Sequence, residues 1–407
     1  MIALASHGGH VRVLLFHPRG RFDPADCGAS HTAFAQLEFF QSCGWEVHCV
    51  FQEIPAWGVG ALEDEVMSRF ACVKSVRTVR IDCPPVAPRH YGDEFRQLLY
   101  ATERAARGKV FRAVAAEEWD AFFTTDVTCT PYAMALSRAV FRVLAAGDSY
   151  ARRATATEIA PRPVREAELL FTFARVECEL YRLFDRILFL SETEVSEASR
   201  CGVKNAMHVP PMIRASDSAP RETQDKHDLV ICGGELSGDL ADVEWFYRHV
   251  YLPHLRACGV RLTLAGPAAA RFPLIDQRVP KLPASTEVYH AARVVVVPAC
   301  EATGPHVPAM NAFAAGRAVV ATPLALRALE VPENAAVVIE MRTDPAGTAA
   351  AILELLASHA RRTKLGERAA ETASRHTRER HFAALEAAWQ REQARLLPKA
   401  MERSREC

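Results

Sequence analysis

Short apolar runs that end in glycine or proline, each leading through a loop and a helical stretch to another apolar run, recur along this chain in two blocks. Residues 11–16 (VRVLLF) are the first run and stop at His17-Pro18. A loop with Gly20 and Gly28 follows, Ser30 is placed to cap a helix reaching about Cys43, and Gly44 ends it before the next run at 46–51 (EVHCVF). Two strands joined by a helical crossover run parallel, and the crossover is right-handed. The same logic places further strands at 74–81, 121–125, 140–146, 185–190 and 206–209, with helices at 93–117, 164–184 and 192–201. Residues 214–227 (RASDSAPRETQDKH) are polar, without apolar periodicity, and read as a linker. The pattern then restarts, with strands at 229–232, 261–264, 294–297 and 318–322 and helices at 242–258, 310–315 and 346–357. Residues 363–396, rich in Ala, Glu and Arg, form a last helix before a polar tail. The expectation is an α/β protein of two Rossmann-like, doubly wound domains, at 1–218 and 228–375.

Composition narrows the function classes. A chain of 407 residues is long enough for two or three domains, each with its own core. Lys plus Arg equals Asp plus Glu, 49 each, so a whole-protein basic field for nucleic acid is absent. The 12 cysteines are scattered, with no C-x-x-C pair, so no metal site is expected, and the pattern fits a reducing, cytoplasmic compartment. The first ten residues lack the apolar stretch of a signal peptide, and the apolar runs are far shorter than the ~20 residues of a spanning helix. Membrane contact is expected to be at most peripheral, at the inner face.

Residues 292–322 (ARVVVVPACEATGPHVPAMNAFAAGRAVVATP) carry the most specific chemistry. A buried strand runs into the loop 299–309, which leads to a helix N-terminus. In doubly wound sheets ligands bind beyond the carboxyl ends of strands, and free N–H groups at a helix start favour an anion such as a diphosphate. A plain strand-helix-strand crossover with an irregular loop explains the pattern equally well.

The same segment resembles the donor-site signature of the retaining glycosyltransferases of family 4, the group 1 transferases. Against strand-P-x(5)-G-x(6)-E-A-x-A-x-G-x-P-V-V-x-T, this chain places Pro298, Gly304, Ala312, Ala314, Gly316, Val319, Val320 and Thr322. Upstream, Gly28-Ala29-Ser30 and Trp45-Glu46-Val47 are similar to that family's first glycine loop and second strand. Glu177, Asp185, Ser191, Glu194 and Pro210-Pro211 are similar to the run before its linker. Gly233-Gly234-Glu235-Leu236, Trp245-Phe246, Leu252-Pro253 and Leu264-Ala265-Gly266 are similar to the start of its second domain. The resemblance implies a GT-B architecture, with two domains facing a cleft and a C-terminal helix at 376–396 returning to the first domain.

It also implies a nucleoside diphosphate sugar as co-substrate, without a metal or other cofactor, and a glycan, lipid-linked or small-molecule acceptor. Donor contacts then fall on Gly28, Ala29, Arg152, Gly233, Gly234, Gly266, Glu301, Thr303, Gly304, His306 and Asn311. Two positions depart from the family. Its ribose-binding Glu is Asn311 here, a weaker acceptor than a carboxylate, and its frequent phosphate-binding Lys is His306. An unperturbed imidazole is charged only below about 6.5. Glu301 is near enough in sequence to supply the missing carboxylate. Asp148 with Arg152, in GDSYARR, matches the family's cleft-facing aspartate and arginine, although a helix cap before a solvated basic run explains the segment slightly better. His17, at the carboxyl end of the first strand, joins Asp148 as a catalytic candidate. The alternative is a GT-B chain that has lost catalysis and binds a glycan or a partner.

Overall fold

The computed structural model describes residues 11–18, 28–54, 63–81, 91–147, 175–213, 225–233, 237–266, 269, 272, 279–283, 285–300 and 306–390. Among them are two parallel sheets. The first contains β1 (Arg12–His17), β2 (Glu46–Glu53), β3 (Val73–Arg80), β4 (Ala121–Thr124), β5 (Phe141–Ala146), β6 (Arg186–Phe189) and β7 (Ala206–His208), in the order β3-β2-β1-β4-β5-β6-β7. The second contains β8 (His227–Cys232), β9 (Leu262–Ala265), β10 (Lys281–Leu282), β11 (Ala292–Val297), β12 (Ala318–Ala321) and β13 (Val337–Val338), in the order β10-β9-β8-β11-β12-β13. In both sheets the chain starts at the middle, builds outward to one edge, returns to the middle and builds outward to the other. The reversal falls between β1 and β4 in one sheet and between β8 and β11 in the other. Those gaps are where a doubly wound sheet opens a crevice for a ligand.

Helices cover both faces of each sheet, so the inner strands β1, β4, β5, β8, β9, β11 and β12 are buried on both sides and read as largely apolar runs. Alternate residues divide between the faces. Leu14 and Phe16 join one core cluster while Val13 and Leu15 join another, and Val294 and Val296 are parted from Val295 and Val297 in the same way. One compact unit holds the described residues up to Val209 except Gly28, and again those from Phe382; the other holds Gly28 and Pro210–His381. Phe382, Leu385, Ala388 and Trp389 of the last helical stretch sit in the first unit's core. The Trp389 ring meets Phe40, Trp45 and Phe141 at 5.6, 5.1 and 5.4 Å.

Several elements differ from the sequence expectation for local reasons. The first helix, Gly28–Cys43, starts two residues before Ser30, which lies in its first turn and not at its cap. The stretch 93–117 is two helices, Tyr91–Ala106 and Lys109–Ala115, parted at Gly108, whose extended backbone starts the second. The helix expected from 242 begins at Ser237 and widens into a π-helix over Tyr247–Leu255. Pro253 inside it has no N–H to give, and its ring excludes the carbonyl one turn back. The helix expected from 310 begins at Val307, because Pro308 fits a first turn where its missing N–H costs nothing. Residues 363–396 are not one helix: His359–Ser374 ends, and a second helix runs over 378–390. No described helix is long and apolar enough to cross a membrane.

Candidate functional site

The crevice of the second sheet lies between the carboxyl ends of β8 and β11, and three glycine-bearing or proline-bearing turns shape it. At the end of β8, the Gly233 N–H donates to Ala265 O at 3.1 Å. At the end of β9, Gly266 adopts φ +84, and its N–H donates to Leu282 O at 3.0 Å. A Cβ on Gly266 would come within 2.6 Å of Gly233 O, so the two backbones approach closely with no room for a side chain.

At the end of β11 the chain passes through Pro298, Ala299 and Cys300 before reaching His306. Two side chains fasten this departure. Thr322 donates its hydroxyl to Ala299 O and caps the helix Pro323–Leu326 through Ala325 N. Asp242, only 2% exposed, accepts the Cys300 N–H at 2.8 Å on one oxygen and Arg342 Nη2 at 2.8 Å on the other. The Arg342 guanidinium also lies 5.9 Å from the centre of the Trp245 ring. The start of the loop is therefore held by a buried ion pair.

The helix Val307–Ala314 points its N-terminus to the same end of the sheet. His306 is its N-cap, in extended conformation and 9% exposed. An imidazole beside first-turn N–H groups makes this helix start suited to an anion. Asn311 sits half-buried in the second turn. Its amide donates to the buried hydroxyl of Tyr289, and that hydroxyl hydrogen-bonds the Cys232 thiol. Burial holds the Tyr289 hydroxyl well above its ordinary pKa and pushes the Cys232 thiol up to about 12, so both stay protonated. The three side chains link the end of β8 to the helix.

The other signature residues serve packing. Ala312 and Ala314 are buried, and Gly316, at φ +63, ends the helix in the left-handed region. A Cβ on Gly366 would fall 2.2 Å from Gly316 O, so the helix His359–Ser374 crosses here at backbone contact. Val319 and Val320 are interior positions of β12.

In the first unit, His17 ends β1, fully buried, with its Nε2 3.3 Å from Ser30 Oγ and its ring edge-on to Phe51 at 5.6 Å. Gly28 and Ala29 are the first two residues of the helix that carries Ser30, so this segment is helical where a loop was expected. Asp148, Arg152, Gly234, Glu301, Thr303 and Gly304 lie outside the described residues. The structure thus brings Gly233, Gly266, His306 and Asn311 to one end of one sheet. Asp242, Arg342 and Tyr289 were not expected: Asp242 and Arg342 are separated by 100 positions, and no spacing rule pairs them. Among the described residues, no group of three or more His, Cys, Asp or Glu could hold a metal ion.

Residues 227–358 match the family model of the Glycosyl transferases group 1. No curated protein matches the chain. Among solved structures, the chain is similar to sucrose-phosphate synthase from Thermosynechococcus elongatus, with a TM-score of 0.64 and 17% identity over 95% of this chain and 100% of that one. It is similar to Anabaena HepE in complex with UDP and glucose, with a TM-score of 0.58 and 12% identity over 90% of this chain and 96% of that one. The α,α-trehalose 6-phosphate synthase of Burkholderia multivorans gives 0.58 and 13% over 95% and 97%. At these identities the likeness is one of fold: two Rossmann-like parallel-sheet domains of the GT-B kind.

Proposed function

We propose that this chain, which carries a group 1 glycosyltransferase domain on a GT-B fold, moves a sugar from a nucleoside diphosphate sugar to an acceptor hydroxyl with retention at the anomeric carbon. The bond from the anomeric carbon to the diphosphate breaks, a bond to the acceptor oxygen forms, and the proton of the acceptor hydroxyl passes to the departing diphosphate. The demand on the protein is charge stabilisation on the departing diphosphate. The observation that carries this reading is the helix start at His306, set beside the Gly233 and Gly266 turns at the crevice of the second sheet.

In this reading the diphosphate lies against the first turn of Val307–Ala314, and His306 donates to it. The close approach of Gly233 and Gly266 leaves no side chain between their backbone and the nucleotide. Asn311, with its NH2 given to Tyr289, keeps its carbonyl oxygen to accept from a ribose hydroxyl. Asp148 and His17 are the proposed catalytic groups, and Gly28, Ala29, Arg152, Gly234, Glu301, Thr303 and Gly304 the further donor contacts. The relatives named above include a complex with UDP and glucose and two sugar-phosphate synthases. These support a UDP-sugar donor and a glycan or small-molecule acceptor; the same reading puts the reaction in the cytoplasm, without a metal.

One observation favours a second reading, a chain that binds a glycan or partner without catalysis. The position where the resembling family has a carboxylate is Asn311, and its amide is committed to a buried tyrosine. A screen of UDP-, GDP- and ADP-sugars for hydrolysis separates the two. Release of one nucleoside diphosphate supports the transferase; none released, with none bound, supports the second reading.

A further inference from the structure

We propose that the second unit carries an anion site for a phosphate group at the amino ends of its strands, on the side of the sheet away from the crevice. Its walls are arginines from four separate segments. Arg261 immediately precedes β9, Arg293 is the second residue of β11, Arg317 immediately precedes β12, and Arg362 lies on the helix His359–Ser374.

Two carboxylates face them, in unlike states. Asp228, in β8, is saturated: it accepts Arg261 Nε at 2.9 Å and Nη2 at 3.2 Å, the Arg261 N–H at 3.2 Å, and Arg293 Nη1 at 2.9 Å. Asp225 is not. Arg293 Nε and Arg317 Nη1 lie 3.9 Å from its carboxylate oxygens and Arg362 Nη2 lies 3.8 Å away, within ion-pair range but beyond a hydrogen bond. Three guanidiniums converge on a carboxylate that none of them hydrogen-bonds.

The charge does not balance. Four guanidiniums face two carboxylates and the C-terminal carbonyls of the helix Pro345–Ala357, worth roughly half a negative charge. Those carbonyls are used: Leu356 O accepts from Arg293 and, with Leu355 O, from Arg362. At least one positive charge is left over. Arg261, with its side chain 66% exposed, leaves part of that excess in water, but Arg317 does not: it is 9% exposed, its Nη1 donates only to Ala292 O at 3.3 Å, and its Nε has no partner among the described residues. A buried guanidinium with an idle N–H is costly unless an anion completes it. A phosphate group brings more acceptor oxygens than a carboxylate and matches the fork of a guanidinium. Asp225, more exposed than Arg293, Arg317 and Arg362, lies where that group would sit and competes with it.

The test is calorimetric titration of the full chain with inorganic phosphate, against chloride at matched ionic strength. Wild type binds phosphate saturably. Asp225→Asn tightens it about tenfold, because a carboxylate no longer opposes the dianion among the guanidiniums. Arg317→Gln weakens it at least about tenfold while UDP affinity stays unchanged, which separates this site from the proposed donor site. If Arg317→Gln fails to fold, Asp225→Asn decides alone, since that side chain makes no hydrogen bond. Equal phosphate affinity in Asp225→Asn and wild type overturns the proposal, as does displacement by UDP of all the phosphate bound.

Discussion

Asp242→Ala should be among the most damaging single changes near the crevice. It removes the acceptor of the Cys300 N–H and leaves Arg342, whose side chain is 22% exposed, without its carboxylate. Stripping one partner from a buried pair costs about 3–5 kcal/mol, and an unsatisfied backbone N–H about 1–3 kcal/mol more. Arg342 keeps partial solvent and its Trp245 contact, which places the total near the lower bound of the two together, about 4 kcal/mol. Asp242→Asn keeps an oxygen for Cys300 and should cost about half as much. The assay is urea unfolding of both variants and of Arg342→Met, with the double variant closing a cycle. The pair should show a coupling of at least about 1 kcal/mol. UDP affinity should fall with Asp242→Ala, since the loop start is released. A loss below about 1 kcal/mol, or no coupling to Arg342, would refute the clamp.

Acid should act through Asp228. Its carboxyl is held at about 2, against an ordinary 3.8, chiefly by the hydrogen bonds from Arg261. A depressed folded-state value stabilises the fold fully above 3.8, and the contribution of about 2 kcal/mol is lost as pH falls from there through 2. Unfolding free energies at pH 5 and pH 2 should therefore differ by about that much more in wild type than in Asp228→Asn. Gly266→Ala should cost roughly 2–4 kcal/mol, combining left-handed strain with the collision against Gly233 O. Gly259→Ala, also left-handed but with nothing within 4 Å, should cost only about 1 kcal/mol in the same unfolding assay. Asn311→Glu should tighten nucleoside diphosphate binding by roughly 1 kcal/mol, read by calorimetry.

What could be read from sequence follows from how far each signal reaches along the chain. Strands such as 229–232 and 294–297 announced themselves because both their faces are buried, which leaves no polar residue to interrupt them. The sequence pattern starts the helix Val307–Ala314 late, at 310, because Pro308 reads as loop, although proline belongs equally to a first turn. The break after Ser374 is invisible in an Ala-rich stretch that favours helix throughout; packing of Trp389 and its neighbours decides it. The π-helix at Tyr247–Leu255 carries only the mark of Pro253. His306 and Asn311 were found by resemblance to a family signature, most of whose residues prove to be packing positions and hence report fold. The Asp242–Arg342 pair and the arginines around Asp225 join residues distant in sequence, and no local pattern foretells them.

The central claim is that the end of the second sheet at His306 holds a nucleoside diphosphate. Calorimetric titration of wild type and His306→Ala with UDP and GDP, at pH 6, tests it most directly. The account predicts saturable one-to-one binding of at least one of the two, weakened by about 1–3 kcal/mol in His306→Ala, the range for losing a charge-assisted hydrogen bond. An unchanged dissociation constant in the variant, or no binding of either nucleotide by the wild type, would contradict it.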